Sequence, residues 1–482
     1  MQQLTGVDAN FLYMETGATV GHVCGVALLD PSTRDGELTF DAVRTVVEQR
    51  LPLLPPLRRR LVEVPLGIDR PYWADDPDFD LDFHVRELAL PAPGGKEQLC
   101  EQVARIASRA LDRHRPLWEL YLLSGLEGGQ LALLVKFHHA ALDGVAGAEL
   151  LTTLMDPTST PPEPPPAQPW HPPPVPSELQ MWARGVVGVS LQPLKVLDFQ
   201  RRLLRTLPRS TRFFGRTAAP ALTNLGRLMT GGGSPDGQLL AGPVMIAPRT
   251  SFNRPITPQR RWTFGSASLQ AVKEVKDAFG VTVNDVVMAA CAGALRRWLE
   301  LHDELSAQPL LAMVPLSVRT PEQQGQFGNR VSGMIAVLPT HLADPVDRLR
   351  AAHEAMRAAK EQHHAISAET LQDVTQFAMP ALATRAARVA AQLRITDYVN
   401  PPYNVVISNV PGPRNPLYLA GATVRGYYPV SVVTDGLGLN ITVQSYLDDL
   451  DIGLVSCREL VPDLEVLLGY LTDAIEELHG HV

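Results

Sequence analysis

The stretch DPTSTPPEPPPAQPWHPPPVP, residues 156–176, limits how this 482-residue chain can fold more than any other segment. Proline fixes φ and removes a backbone donor, so a run this dense neither pairs into a sheet nor continues a helix. It is expected to run extended and outside any core. The chain is also too long for one ordinary core, so two domains are expected. The proline run then marks the divide. Residues 1–155 form an N-terminal domain, 156–245 a linker with a basic helical insert, and 246–482 a C-terminal domain.

On either side of the divide, strand-like and helix-like segments alternate, which argues for an α/β fold. HVCGVALLD and QLALLVKF are apolar runs of strand length. TFDAVRTVVEQRL and KEQLCEQVARIASRALD repeat apolar residues at helical spacing. Beyond the linker, GVTVNDVVMAACAGALRRWLELH reads as a helix with its acid near the N-terminus and its arginines near the C-terminus, the polarity that suits the helix dipole. NVVISNV, LNITVQSY and DIGLVSC read as strands, and LEVLLGYLTDAIEELHGH as a closing helix.

The net charge of −8 gives no reason to expect a nucleic-acid partner. Cys24, Cys100, Cys291 and Cys457 are widely spaced with no CxxC, which suits a reducing, cytoplasmic setting better than a zinc site or a disulfide framework. The N-terminus lacks the basic region and apolar run of a signal peptide. No apolar stretch is long enough to span a bilayer, so any membrane contact is expected from the side. One segment invites such contact. Between Gln180 and Leu228 Asp198 is the only acid, among many arginines. It reads either as a membrane-surface or lipid-droplet contact, or as a helical linker with a solvated basic face.

Chemistry concentrates in FHHAALDG, residues 137–144, where a strand hands over to a helix. Turns of this kind place side chains at a sheet edge, where sites are often built. An imidazole that titrates near neutrality can take a proton from an alcohol or thiol. Asp143 can cap the helix that follows or pair with an arginine to brace the loop, and Gly144 lets the backbone pass close to a neighbour. The bland alternative is a satisfied core histidine on a capped helix. EQHHAISA, with His363 and His364, lacks the Asp-Gly and reads as a solvated helix face. There is no third ligand at a familiar metal spacing, no GxSxG elbow, and no GxGxxG or Walker loop.

HHxxxDG at a strand-to-helix turn resembles the CoA-dependent acyltransferase superfamily, which includes chloramphenicol acetyltransferase and peptide-synthetase condensation domains. DDPDFDLDFHV, LDRHRPLWE, PRTSFNRPI, TVNDVV, GNRVSGM, SNVPGP and PLYLAGA then follow in order. The ordered set, running nearly end to end, resembles the bacterial wax ester synthase/diacylglycerol acyltransferase family of actinobacterial type. The proline-rich linker and VSVVTDGLGLNI fit that pattern least well.

The resemblance implies two chloramphenicol-acetyltransferase-like domains, each a mixed sheet flanked by helices, with a tunnel at their interface. It implies transfer of a fatty acyl group from acyl-CoA to diacylglycerol or a long-chain alcohol, with no metal and no redox cofactor. His139 would be the general base, His138 and Asp143 would shape the loop, and Asn284 would donate to the oxyanion, its rival reading being a helix N-cap beside Asp285. Pro116, Leu117, Trp118, Gly144, Asp285 and Asn409 would contact substrate, although Trp118 reads first as ordinary core and Asn409 to Pro413 first as a tight turn. The expected setting is cytoplasmic, against the inner membrane or lipid droplets. Two other readings keep the fold: acylation of another hydroxyl lipid of polyketide or glycolipid type, and a non-catalytic lipid-binding or lipid-droplet protein. Scattered arginines such as Arg58 to Arg60 remain unassigned.

Overall fold

The computed structural model describes residues 1–142, 150–160, 170–190, 246–317, 331–365 and 380–482, apart from Asp35, Leu151 and His171. The described residues hold fifteen strands in three sheets. The first large sheet runs, in spatial order, β12 (Tyr418–Leu419), β13 (Ala422–Val430), β2 (His22–Asp30), β7 (Leu131–His138), β6 (Trp118–Ser124) and β5 (Val85–Ala89). The second runs β10 (Val331–Leu338), β9 (Leu310–Ser317), β11 (Val405–Val410), β14 (Leu439–Tyr446), β15 (Asp449–Cys457) and β8 (Arg260–Ser268). A small sheet joins β1 (Gln2–Gln3), β4 (Tyr72–Asp75) and β3 (Arg59–Val62). Both large sheets are mixed: β5 lies parallel to β6, and β11 lies parallel to β9 and β14, while the other pairings are antiparallel.

The segments expected as strands and helices on either side of the linker form those elements. HVCGVALLD is β2 and QLALLVKF ends in β7, which is buried from Ala132 to His138. The helix Lys96–Ala107 buries Leu99, Val103, Ala104, Ile106 and Ala107, which lie on one side at helical spacing. The helix Val283–Leu301 is buried through most of its length and begins in a capping box: Thr282 Oγ1 accepts from the Asp285 amide, and Asp285 Oδ2 accepts from the Thr282 amide. The N-cap is therefore Thr282, and Asn284 is the second helical residue rather than the cap. With the helices Leu269–Phe279, Pro345–Ala365 and Leu464–His479, this helix forms the core laid over the second sheet. Each large aliphatic side chain buried there contributes about 1.5–3 kcal/mol.

The sheets do not follow the chain halves. β12 and β13, from the C-terminal segment, complete the first sheet. β13 pairs with β2 from Thr423 opposite Asp30 to Val430 opposite Cys24. The reason is backbone satisfaction: β2 is buried along most of its length, and its free edge would leave buried N–H and C=O groups unpaired. The two sheets meet at this lent strand. Trp262 Nε1 donates to the Pro429 carbonyl at 3.0 Å, and the Tyr427 amide donates to Asp451 Oδ2 at 2.7 Å. A Cβ on Gly453 would stand 1.8 Å from the Pro429 oxygen, so only glycine permits this approach. A shared core of Cys24, Val26, Val103, Trp262, Phe264 and Tyr428 fills the junction.

The described ends of the linker are anchored. Asp156 forms a two-way backbone bridge with Tyr418 and a buried ion pair with Arg50. On return, Asn253 in PRTSFNRPI donates to the carbonyls of Asn404 and Gly436 at 2.9 and 3.0 Å. Most of the basic insert lies outside the described residues.

Candidate active site

Side chains alternate along a strand, so Lys136 and His138 share one face of β7. Lys136 is fully buried. Its Nζ donates to the carbonyls of Ile106 and Arg109 at 3.0 and 2.5 Å, closing the end of the Lys96–Ala107 helix. Burial lowers its pKa, and Glu119 stands 3.6 Å away. Burial, with the nearby Lys136 charge, holds His22 on the adjoining strand well below the ordinary histidine range, so it is neutral.

His138 closes β7 and is locked. Its Nδ1 accepts the Ala140 amide at 3.0 Å, so the ring proton sits on Nε2, which donates to Glu15 Oε1 at 3.0 Å. Glu15 also accepts the Gly21 amide at 2.8 Å and Arg113 at 2.5 Å. Burial works against the Glu15 charge, but the bonds and charges of His138, Gly21 and Arg113 outweigh it and hold the carboxyl at about 2. A histidine engaged at both nitrogens is an anchor for the turn, and proton transfer would break one of those bonds.

His139 differs. It is only half-buried, and its ring lies stacked on Phe11, centroids 4.0 Å apart at 12°. Its amide donates to the Gly21 carbonyl at 2.8 Å. Phe11 belongs to the helix Gly6–Tyr13, which Thr5 and Asp8 cap reciprocally. Gly21 is required where it stands, since a Cβ there would meet the Phe11 oxygen at 2.7 Å and His138 Nε2 at 2.8 Å. The first histidine is thus fixed from below by a carboxylate, and the second is presented from the side by an aromatic ring.

The other expected residues divide into two groups. Leu117 stands beside the pair, its carbonyl accepting the His138 amide at 2.9 Å, and Pro116 bridges to Arg60. Trp118 is buried core: its indole donates to the Leu57 carbonyl at 2.7 Å and stacks on His84 at 4.5 Å. Asn284 lies half-buried at the start of the Val283–Leu301 helix. Asp285, expected to contact substrate, is buried and committed to the capping box and to His353 Nδ1 at 2.8 Å, which gives it a structural place. Asn409 lies within β11, opposite Val443, rather than in the expected turn. Asp143 and Gly144 lie outside the described residues, as do the side chains of His363 and His364. Sequence reasoning missed Phe11, Glu15, Gly21 and Arg113. LDRHRPLWE marks the neighbourhood of Arg113, but nothing in the spacing ties Glu15 to a histidine 123 positions on.

Two six-stranded mixed sheets joined by a lent strand, with a histidine pair at the end of one central strand, make up a recurrent two-sheet α/β fold. The fold is shared with trichothecene 15-O-acetyltransferase TRI3 from Fusarium sporotrichioides, at a TM-score of 0.59 and 12% identity over 99% of this chain and 94% of that one. The catalytic-domain model of wax ester synthase/diacylglycerol acyltransferase matches residues 4–287, and the WS/DGAT C-terminal domain model matches residues 327–479. The chain therefore belongs to the wax ester synthase/diacylglycerol acyltransferase family. It is 37% identical to a Mycobacterium tuberculosis protein provisionally named a diacylglycerol O-acyltransferase, over 99% of this chain and 90% of the relative. The wax ester synthase/diacylglycerol acyltransferase from Marinobacter aquaeolei VT8 superposes with a TM-score of 0.68 at 30% identity, covering 100% of this chain and 99% of that one.

Proposed function

We propose that the protein moves a long-chain acyl group from acyl-CoA to the free hydroxyl of diacylglycerol, forming triacylglycerol, and that long-chain alcohols serve as second acceptors to give wax esters. Family membership supports the acyl transfer and the acceptor class. The observation that carries the division of labour is the contrast between His138, bound at both ring nitrogens, and the half-buried His139 beside it.

In this reading His139 takes the proton of the acceptor hydroxyl as the oxygen attacks the thioester carbonyl. A C–O bond forms, the carbonyl electrons move onto oxygen, and a tetrahedral oxyanion results. Its collapse breaks the C–S bond, and the imidazolium returns its proton to the leaving sulfur, releasing CoA as the free thiol. The thioester is already activated, so the step needs no metal and no redox cofactor. General-base help of this kind contributes roughly 10²–10⁴-fold. Phe11 holds the ring at a fixed tilt, and the Glu15–His138 bond fixes the turn that carries it. Asn284 is the proposed oxyanion donor, Asp143 braces the turn, and Gly144 and Leu117 border the acceptor channel. Two long apolar substrates suit a tunnel between the sheets, with the protein resting peripherally on the inner membrane or on lipid droplets in the cytoplasm.

The test is thiol release and lipid product from palmitoyl-CoA, with dioleoylglycerol and hexadecanol offered separately. Turnover with dioleoylglycerol that disappears in His139→Ala is the expected result. Full activity in His139→Ala would remove it as the base, and no turnover with either acceptor would overturn the acceptor class. Asn284→Ala should lower kcat about 10²-fold if it donates to the oxyanion.

A further inference from the structure

The helix Glu178–Ser190 has two apolar faces. One packs down: Met181 is buried, and added Cβ atoms at Gly185 and Gly188 would meet Val64 at 2.6 Å and Asp69 at 2.2 Å. The glycines thus seat the helix closely on the N-terminal domain. The opposite face carries Leu179, Trp182 and Val186, spaced i, i+3, i+7, and all three are exposed. A helix on a water-facing surface normally turns polar residues outward, so this pattern calls for a second apolar neighbour.

Neighbouring segments carry further exposed apolar side chains. The helix leans on the turn Pro65–Gly67, whose Leu66 is 82% exposed. The same turn touches the helix Pro380–Gln392, which leads through exposed Leu393 to Tyr398, itself 83% exposed. The Pro380–Gln392 helix in turn packs on Gly6–Tyr13, the helix that presents Phe11 to His139. The elements that carry these exposed residues are thus linked by direct packing to the helix that presents Phe11 to His139.

Charge selects the partner. Segments 178–190 and 380–400 carry four arginines (Arg184, Arg385, Arg388 and Arg394) against two acids, Glu178 and Asp397, in a chain whose net charge is −8. Arg394 pairs with Asp397 at 2.8 Å. Arg184, Arg385 and Arg388 are exposed and have no carboxylate partner among the described residues. Exposed aliphatic side chains, a tryptophan and a tyrosine, with exposed arginines on the same segments, match an interface where acyl chains meet anionic headgroups. We infer that this patch is the face by which the protein docks on an anionic lipid surface, placing the site's mouth against the membrane that holds its acceptor. The inference rests on the lipid-acceptor reading above and names the docking face for it.

Cosedimentation with vesicles of equal parts phosphatidylcholine and phosphatidylglycerol tests it without reference to turnover. The variant Trp182→Ala/Val186→Ser should bind at least about tenfold more weakly, and Tyr398→Ser should weaken binding in the same direction. Arg385→Gln and Arg388→Gln should each cost about fivefold at low salt. Unchanged melting and unchanged turnover of detergent-dispersed dioleoylglycerol show that the fold and site are intact. Equal vesicle binding by wild type and variants would overturn the assignment, as would loss of a dimer in the variants with vesicle binding unchanged, since a second copy would then own the face. Absence of turnover with dispersed dioleoylglycerol in the wild type would sink the acceptor reading alone, because vesicle binding still reports on the face.

Discussion

Two of the carboxylate–histidine pairs among the described residues lie against the two large sheets in different settings. Glu15 meets His138 at 3.0 Å beside the first sheet, and Asp285 meets His353 at 2.8 Å above the second. In the first pair the histidine is the buried member, 2% exposed, and it ends the strand that delivers His139. In the second the carboxylate is the buried member, also 2% exposed, and its main task is to cap a helix. A carboxylate–histidine contact by itself therefore says nothing about catalysis. The two pairs differ in what they position: the first holds the turn that carries His139, and the second holds a helix start.

The largest test of that difference is His139→Ala, expected to lower kcat by roughly 10²–10⁴-fold with little change in melting temperature. A comparable loss in His353→Ala would erase the distinction. Next, Glu15→Gln keeps an acceptor but removes the charge. Stability should fall by about 2 kcal/mol in denaturant titrations, and kcat by on the order of tenfold through a displaced turn.

The first pair also has a pH signature. Glu15 titrates lower in the folded protein, at about 2, than it does unfolded, so its contribution is present above the ordinary glutamate range and disappears as pH falls towards about 2. Melting temperature should drop across that acid window in the wild type, and less in Glu15→Gln. A smaller effect is expected for Asp285→Ala, which removes half of the capping box at a cost of about 1–2 kcal/mol while leaving KM for acyl-CoA unchanged. A raised KM there would return Asp285 to the substrate contacts. The smallest is His353→Gln, at most about 1 kcal/mol, since its side chain is one-third exposed.

Much of the fold was legible in the chain, because burial on a regular element imposes a period. β2, β7, β11, β14 and β15 and the Val283–Leu301 helix fall where apolar runs or 3.6-residue patterns place them. The crossing of β12 and β13 into the first sheet was not legible, since strand pairing is a long-range contact and PLYLAGA carries no mark of its partner. At the site, FHHAALDG announced the histidines, and the resemblance gave them different expected roles. The local sequence could not say that Phe11 stacks on one and Glu15 binds the other, for both lie more than a hundred residues upstream.

The sequence by itself determined the family, the mixed α/β class, and the placing of two histidines at a strand end. These are local patterns, set by backbone geometry and side-chain period. Tertiary structure alone decided that Glu15 and the Ala140 amide hold His138, that Phe11 stacks on His139, why residue 21 must be glycine, and which helix face is left apolar and exposed. Each of those depends on atoms brought within a few ångströms by packing, and no spacing along the chain encodes that proximity.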